Sequence, residues 1–242
     1  MSQHLARART PKNWPIKRKE TKWITRVNPG PHSLDRCINL NLLLKEFLKY
    51  AKTTREVRRI LNQGIILIDK KPRKDPGFPV GLMDLIEVTK TKESYRLILD
   101  ENLKFKLIPV HGKNQSLKPC KIIGKTTLKG KKTQINLFDG RNIFSDDKAL
   151  NVGDTVILDL TTNKVHDHIK FEKDAHIYLL KGKNAGTIGV LKEIYKEKNM
   201  IKPRILVEAK KEKIETLKDY AFVINDSILE NGTKHNEADK SK

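Results

Sequence analysis

Residues 53–71, TTREVRRILNQGIILIDKK, carry the clearest structural pattern in the chain. Thr53 and Glu56 have the spacing of a capping box, in which each side chain bonds the backbone N–H of the other at the start of a helix. Gly64 stands where such a helix would end, because glycine readily adopts the left-handed conformation of a C-terminal cap. Apolar residues between them recur at helical spacing: Val57, Ile60 and Leu61.

Strands and an earlier helix surround this segment. Residues 65–68 form an apolar strand, and residues 69–72 form a tight polar turn. The type of this turn stays open, because Lys70 is poorly suited to a positive φ. Apolar residues upstream recur at helical spacing: Leu40, Leu43, Leu44, Phe47 and Leu48. Strands are predicted downstream at residues 85–88, 95–99 and 104–110.

Basic side chains accompany this pattern. Arg55, Arg58 and Arg59 fall on or near one exposed side of the second helix, and further cations follow in the turn. Such groups suit phosphate oxygens, which arginine binds through two parallel hydrogen bonds. The alternative is an ordinary solvated helix face. The RNA-binding candidates in this region are Arg55, Arg58, Arg59, Lys70, Lys71, Arg73 and Lys74.

The whole chain is strongly basic. Its 242 residues include 50 Lys or Arg and 29 Asp or Glu, which gives a net charge of +21. A charge of this size indicates a polyanionic partner. Hydrophobic residues make up 37% of the chain, which is enough for several small cores but not for one large core.

Residues 1–36 have the composition of an extended basic arm, with nine basic and two acidic side chains. Pro29-Gly30-Pro31 prevents regular structure near its end. Cations here alternate with two tryptophans, whose rings stack on unpaired bases or pack on neighbours. The alternatives are a solubilising tail and a localisation signal. The arm's RNA-binding candidates are Arg7, Arg9, Lys12, Trp14, Lys17, Arg18, Lys19, Lys22, Trp23 and Arg26.

The second half of the chain is predicted to be rich in β-strands. Residues 111–172 contain runs of strand length, and Asp139-Gly140 marks a hairpin. Residues 173–225 contain a glycine-rich loop whose exposed lysines, Lys181 and Lys183, are further RNA-binding candidates. The glycine spacing does not fit a phosphate-binding loop, which requires GxxxxGK followed by Ser or Thr.

Catalytic and metal chemistry have no basis in the sequence. Cys37 and Cys120 lack a CxxC partner, so no zinc site is predicted, and two such thiols are typical of a reducing cytoplasm. His166 and His168 share a strand face without a third ligand, which predicts surface imidazoles. No GxSxG or HExxH motif occurs. No apolar run reaches the roughly 18–20 residues of a membrane helix, and no secretory leader is expected.

Two parts of the chain resemble known RNA-associated modules. The predicted order of elements, which is helix, turn, helix, strand and basic turn, resembles the small RNA-binding domain first described in bacterial ribosomal protein S4. The residues that match it are Thr54-Arg55-Glu56-Val57, Ile60, Gly64, Ile66, Ile68, Asp69 and Lys71. The glycine-rich loop resembles the KOW motif, a β-barrel element of ribosomal proteins and NusG-type elongation factors. The residues that carry this resemblance are Gly182, Gly186, Gly189, Ile177, Ile188 and Val190.

The order of these modules resembles the archaeal and eukaryotic S4e family of small-subunit ribosomal proteins over residues 4–225. Supporting stretches are Pro11-Lys12-Asn13-Trp14, Gly30-Pro31-His32, Gly81-Leu82-Met83-Asp84 and residues 164–171. The resemblance implies an α+β multidomain fold. Its parts are an extended basic arm (1–36), a small helix-turn-helix/β RNA-binding domain (37–110), a central β-rich domain (111–172), a small KOW β-barrel (173–225) and a polar tail (226–242).

The function implied by the resemblance is structural. The protein is expected to bind and stabilise small-subunit rRNA in the cytoplasm, to support subunit assembly and to contact neighbouring small-subunit proteins. No cofactor, metal, membrane or small-molecule substrate is expected. Two alternatives remain. One is a KOW-type transcription or RNA-associated factor, and the other is an RNA-modifying enzyme, which would need a catalytic domain that no segment is large enough to form.

Overall fold

The computed structural model describes residues 4–17, 19–130, 132–145, 149–195, 202–209 and 212–225. The chain divides into two compact units: the first comprises Met1–Leu99 with Lys104–Ser116, and the second Asp100–Leu103 with Leu117–Lys242. Antiparallel strands make up most of the regular structure, and helices are few. The protein is thus multidomain and mostly β, with less helix than the predicted α+β class implies.

The first unit contains short strands, two α-helices and several 3-10 turns. Its strands are β1 (His4–Ala6), β2 (Trp23–Thr25), β3 (Cys37–Asn39), β4 (Ile66–Ile68), β5 (Lys71–Pro72), β6 (Pro79–Gly81), β7 (Leu85–Val88), β8 (Glu93–Leu99) and β9 (Phe105–Pro109). A five-stranded sheet has the order β5-β4-β7-β8-β9, while β1 pairs with β2 and β3 with β6. The helices are α1 (Leu40–Leu42), which continues as a π-helix over Leu43–Phe47, and α2 (Thr54–Asn62). The 3-10 turns are Arg7–Arg9, Leu34–Arg36 and Gly112–Gln115.

Helix α2 forms as its sequence pattern predicts. The Thr53 hydroxyl accepts from the Glu56 N–H at 3.3 Å, and the Glu56 carboxylate accepts from the Thr53 N–H at 3.4 Å, so the capping box is confirmed. Gly64 has a φ of 69°, as a left-handed cap requires. The earlier helix differs from a regular α-helix, because it widens into a π-helix after one turn.

The basic turn between β4 and β5 is a two-residue hairpin loop. Asp69 and Lys70 have φ values of 50° and 64°, the combination that defines a type I′ turn. Side-chain bonds compensate for the unfavourable conformation at Lys70. Its ammonium pairs with Glu87, while the Asp69 carboxylate accepts from the Leu85 N–H at 3.0 Å. The turn type left open by the sequence is therefore decided by contacts with β7.

The arm is more ordered than an extended segment. Residues 4–36 contain the β1–β2 pair and two 3-10 turns, and Ile24 is buried. Trp14 is only 3% exposed, and its indole N–H donates to the Cys37 carbonyl at 2.9 Å. The prediction that Trp14 binds RNA is corrected here, because a ring enclosed by protein has no face left for a base.

His32 attaches the end of the arm to the first unit. Its Nε2 lies 3.0 Å from Asp84 Oδ2, and both side chains are almost fully buried. The same Asp84 oxygen accepts from the Gly81 N–H at 2.8 Å. A Cβ at Gly81 would lie 2.3 Å from the His32 ring, so the ring position requires glycine there.

We expect Gly81→Ala to destabilise the protein by about 2 kcal/mol, since the buried ring cannot move without breaking its bond to Asp84. Thermal or urea unfolding measures the change. Gly124→Ala is the control, because a Cβ there meets nothing closer than 3.8 Å and its φ is not positive. Equal stability of the two variants would contradict the tight contact at His32.

The second unit contains two five-stranded antiparallel sheets. The strands of the first are β10 (Leu117–Thr127), β11 (Thr133–Leu137), β12 (Asn142–Phe144), β13 (Thr155–Asp159) and β14 (Val165–Ile169), in the order β12-β11-β10-β13-β14. The strands of the second are β15 (His176–Leu179), β16 (Ile188–Tyr195), β17 (Arg204–Ala209), β18 (Glu212–Leu217) and β19 (Ala221–Val223), in the order β18-β17-β16-β15-β19. A 3-10 turn spans Lys218–Tyr220. Each sheet has its own apolar cluster, with Ile122 and Val156 in one and Ile177 and Val207 in the other.

Buried polar side chains organise the first of these sheets. The predicted hairpin at Asp139-Gly140 is confirmed between β11 and β12, with a φ of 77° at Gly140. The Asp139 carboxylate lies 3.0 Å from the Lys118 ammonium, which is itself 1% exposed. Asp154 accepts from the Phe171 N–H at 2.9 Å and lies 2.9 Å from His168 Nε2. His168 is therefore a paired side chain and not the free surface imidazole that the sequence predicts.

Thiols and acids are dispersed in the structure. Cys37 and Cys120 are both free and buried. Burial, reinforced by Asp84 and Asp35, raises the pKa of the Cys37 thiol to about 12, so this thiol stays protonated. Within the described ranges, no three His, Cys, Asp or Glu side chains are grouped to hold a metal. No helix in that part of the chain is both long and apolar enough to cross a membrane.

Candidate nucleic-acid interface

Helix α2 presents two arginines on one exposed face. Val57 and Leu61 are fully buried, which turns the opposite side of the helix to solvent. Arg55 lies three residues before Arg58 and four before Arg59, so it is adjacent to both on the helix surface, while Arg58 and Arg59 are about 100° apart. All three side chains are exposed, and two of them, Arg55 and Arg58, line the cleft described next, whereas Arg59 does not.

The arm and α2 together line a cleft of about 560 Å³ in the first unit. Trp23 and Arg26 come from the arm, and Arg55 and Arg58 come from α2. The complete lining, which we call the basic cleft, is His4, Arg7, Thr21, Trp23, Ile24, Thr25, Arg26, Asn28, Asn41, Leu42, Lys45, Thr54, Arg55, Arg58, Asp75, Pro76 and Gly77. Residues separated by more than 50 positions in sequence thus meet around one opening.

The charge of the basic cleft is strongly positive. Its lining holds the guanidinium groups of four arginines and the ammonium of Lys45. Asp75 is the single carboxylate in that lining, and it already accepts from the Asn28 amide at 2.7 Å and the Gly77 N–H at 2.9 Å. A polyanion entering the cleft therefore meets cations with little competition from acids.

Trp23 adds an aromatic surface to the cleft. It is 54% exposed, the highest value for a tryptophan in the chain, and the Lys22 ammonium lies 5.5 Å from its ring centroid. An exposed indole beside cations is the arrangement on which unpaired bases stack. Trp14 and Trp23, which have equivalent roles in the sequence-based prediction, therefore differ: one belongs to the core and one to the surface.

Arg7 has a mixed role. It lines the cleft but is only 6% exposed. Its guanidinium lies 3.2 Å from the Glu20 carboxylate and also donates to the Lys17 carbonyl. Much of its charge is thus compensated inside the arm. The prediction of Arg7 as a direct RNA ligand is corrected to a residue that holds the arm in shape beside the cleft.

Several cleft residues were not among the sequence candidates. Asn41 is buried; its amide donates to the Thr25 hydroxyl at 2.6 Å, and its Oδ1 has no hydrogen-bond partner in the described structure. Lys45 lies one helical turn after Asn41 on the same face. The sequence signal that could have identified them is the occurrence of two polar residues, four positions apart, within an otherwise leucine-rich helix.

The remaining candidates are spread over other surfaces. Lys70 is engaged by Glu87, and Arg73 is half-buried with its guanidinium 4.4 Å from the Phe78 ring centroid. In the second unit, Lys181 is half-buried and Lys183 is exposed, both between β15 and β16. Arg18 lies outside the described residues. Exposed candidates that do not line the cleft are Arg9, Lys12, Lys17, Lys19, Lys22, Arg59, Lys71 and Lys74.

The arm and the helical region that line the basic cleft match separate family models. The RS4NT (NUC023) domain model matches residues 1–35, the S4 domain model residues 41–86, and the model of ribosomal family S4e residues 91–165. Small ribosomal subunit protein eS4 of Methanothermobacter thermautotrophicus is 40% identical over 223 residues, which cover 92% of each chain. This chain belongs to the S4e family of ribosomal proteins.

Further S4e relatives agree over nearly the whole chain. The eS4 protein of Pyrobaculum islandicum is 39% identical over 91% of this chain and 94% of its own. The crystal structure of 30S ribosomal protein S4e from Thermoplasma acidophilum matches with a TM-score of 0.68 and 28% identity, covering 79% of this chain and 96% of that one. The S4e family consists of structural proteins of the ribosome and not of enzymes.

The family matches also divide the basic cleft of this S4e protein. Trp23 and Arg26 lie in the part that matches RS4NT, while Arg55 and Arg58 lie in the part that matches the S4 domain. The cleft is thus a joint feature of two family modules. The predicted resemblance to S4e is confirmed, and the S4 domain occurs where the capping box and basic turn indicate.

Proposed function

We propose that this chain is a structural protein of the small ribosomal subunit that binds subunit rRNA through the basic cleft. The observation that carries the proposal is the meeting of Trp23 and Arg26 from the arm with Arg55 and Arg58 from α2 around one opening. The protein acts in the cytoplasm, on the assembling and mature subunit, and stabilises local rRNA structure.

Binding follows from charge and shape and needs no chemical step. Arg55 and Arg58 are spaced to bind adjacent phosphates, each through two hydrogen bonds, with release of counterions. Trp23 stacks on an unpaired base at the rim, since the deep major groove of A-form RNA is closed to side chains. The bond from Trp14 to Cys37 and the His32–Asp84 pair hold the arm in position before RNA arrives.

The finer organisation belongs to the same proposal. Residues 1–36 serve as the RNA-binding arm, 37–110 as the S4-type domain, 111–172 as the central domain and 173–225 as the KOW barrel. A Cβ at Gly189 would lie 2.6 Å from the Glu208 carbonyl, which supports the close backbone approach of a KOW element. Lys181 and Lys183 make a second RNA contact there, and neighbouring small-subunit proteins cover other faces.

Sedimentation tests this function. Cell lysate is run on a sucrose gradient at low and high salt, with and without RNase, and the fractions are probed for this chain. We expect it to sediment with the small subunit, to stay there at high salt and to leave after RNase treatment. Migration at the top of the gradient or with RNA polymerase would contradict the proposal and favour a transcription factor.

Trp23 and Trp14 make a matched pair for the stacking role. We expect Trp23→Ala to weaken rRNA binding about tenfold, since stacking on one base contributes roughly 1–3 kcal/mol, with unchanged thermal stability. Trp14→Ala should instead lower the unfolding temperature, because it leaves a cavity in the core. Filter binding and calorimetry measure the two effects. Normal affinity of the Trp23 variant would remove stacking from the proposed interface.

A further inference from the structure

A second groove in the first unit has the opposite character to the basic cleft. It has a volume of about 640 Å³, and aromatic side chains from the π-helix region, β8 and β9 line it. Two glutamates share this lining. We define the acidic groove by Glu46, Phe47, Tyr50, Glu93, Tyr95 and Phe105.

Glu93 is held as a fixed anion. The hydroxyls of Tyr50, Thr91 and Tyr95 donate to its Oε2 at 2.5, 3.0 and 3.1 Å. These bonds lower the pKa of Glu93, so its carboxylate stays charged. In the described structure its Oε1 accepts no hydrogen bond, which leaves one oxygen of a pre-oriented carboxylate available to a ligand.

Glu46 and Tyr50 extend this surface. Glu46 is exposed on the π-helix and has no hydrogen bond or ion pair within the described part of the chain. Tyr50 is 38% exposed next to Glu93. Carboxylates beside exposed aromatic faces are complementary to a cation with an apolar stem, because the charge pairs with the acid and with the ring face.

The sign of the charge distinguishes the two openings. Two carboxylates and a single ammonium, from Lys106, line the acidic groove, whereas five cations and one carboxylate line the basic cleft. In a chain with a net charge of +21, a local excess of acid is unexpected. Phosphates are repelled from such a surface, so the groove does not suit RNA.

We propose that the acidic groove binds a basic peptide segment of a neighbouring protein, with a Lys or Arg side chain between Glu93 and the Tyr50 ring. Proteins that bind RNA commonly carry basic segments, and a segment not in contact with phosphate finds its complement in carboxylates and aromatic rings. The identification of the neighbour as another small-subunit protein rests on the proposed function. The affinity of the groove for a basic peptide does not rest on it.

Fluorescence anisotropy with the full chain tests the groove directly. The probe is a short labelled peptide of Lys, Arg and Leu, compared with one that has uncharged Gln at each cationic position. We expect the basic peptide alone to bind, and Glu93→Gln or Glu46→Gln to weaken it about fivefold each. Glu212→Gln, an exposed acid on β18, is the control and should change nothing.

The outcomes separate this proposal from the proposed function. Arg58→Gln should weaken rRNA binding without changing peptide affinity, and Glu93→Gln should do the reverse. Equal binding of both peptides, or unchanged affinity in both glutamate variants, would overturn the groove while leaving rRNA binding intact. Loss of sedimentation with the small subunit, with peptide binding retained, would overturn the proposed function alone.

Carbodiimide coupling on isolated small subunits identifies the neighbour. We expect an amide cross-link from Glu46 or Glu93 to a lysine of another protein. If both carboxylates instead couple freely to a small added amine in intact subunits, the groove is open there and the proposal is wrong.

Discussion

Replacing Arg55 and Arg58 together by glutamine is expected to lower rRNA affinity about 100-fold, as each lost charge-assisted contact is worth roughly 1.5 kcal/mol. Both side chains are exposed and line the basic cleft, so folding should be unaffected. The logarithmic salt dependence of binding should also flatten by about 1.5, since each neutralised phosphate contributes roughly 0.7–0.9. Filter binding to purified small-subunit rRNA across a salt series measures both quantities.

Arg59→Gln is the matched control for this experiment. Arg59 lies on the same helix, is equally charged and exposed, and does not line the cleft. If binding depended only on net charge, Arg58→Gln and Arg59→Gln would weaken it equally. We expect a loss for Arg58→Gln several times larger than for Arg59→Gln. Equal effects would show that α2 acts as a diffuse cationic face rather than through the basic cleft.

Lys118→Met is expected to destabilise the second unit by about 3 kcal/mol, the lower end of the usual effect of breaking a buried ion pair, because Arg141 at 3.3 Å still pairs with Asp139. Lys118 and Asp139 are 1% and 4% exposed, and 3.0 Å separates their charged atoms. Urea unfolding at neutral pH measures the change. Lys125→Met is the control, because Lys125 is on the same strand but exposed.

The pH dependence of the stability of Lys118→Met tests whether the loss of the ion pair with Asp139 causes the destabilisation. Burial pushes the pKa of Asp139 upward, but Lys118 and Arg141 outweigh it and hold the pKa below its usual value. The stability that ionised Asp139 contributes to the wild-type protein is therefore present above the pKa that Asp139 has in the unfolded chain, and it is lost as pH falls through its pKa in the folded protein. Without Lys118, only Arg141 opposes the effect of burial, so we expect the pKa of Asp139 to be higher in the variant than in the wild-type protein. The deficit of Lys118→Met should then shrink in acid, where Asp139 is protonated.

A double variant separates charge from packing. Lys118→Met with Asp139→Leu removes both charges, and we expect it to recover most of the lost stability, since apolar replacements of buried ion pairs are often neutral. If the double variant were less stable than Lys118→Met alone, the contribution of Asp139 would lie in its bonds to Arg141 and to the Asp139-Gly140 turn, and not in its pairing with Lys118.

Local structure was accessible from the sequence. The capping box at Thr53 and Glu56, the left-handed Gly64 and the hairpin at Asp139-Gly140 all depend on neighbours within about four residues. Strand positions such as 85–88 were also predicted correctly, because apolar runs between turns mark buried strands. The same local patterns, taken in order, were enough to indicate the S4e family.

Burial and charge compensation were not accessible in this way. Trp14 and Trp23 occupy similar basic surroundings in sequence. In the structure, however, Trp14 is buried with its indole N–H bonded to the Cys37 carbonyl, and Trp23 is exposed. Arg7 is compensated by Glu20, and Lys70 by Glu87, through contacts that only the folded chain makes. An extended arm and freely available cations were therefore predicted where the structure has packed and paired side chains.

The sequence by itself determined the helices, the strands, the basic character and the family, because periodicity, turn residues and net charge are properties of neighbouring or summed residues. The tertiary structure alone decided which cations act together. Residues 23–26 of the arm and residues 55–58 of α2 meet at the basic cleft, and residues 46–50 meet β8 and β9 at the acidic groove. These openings exist because antiparallel pairing and core packing bring together segments that are far apart in sequence. Local sequence patterns do not indicate which distant segments become neighbours.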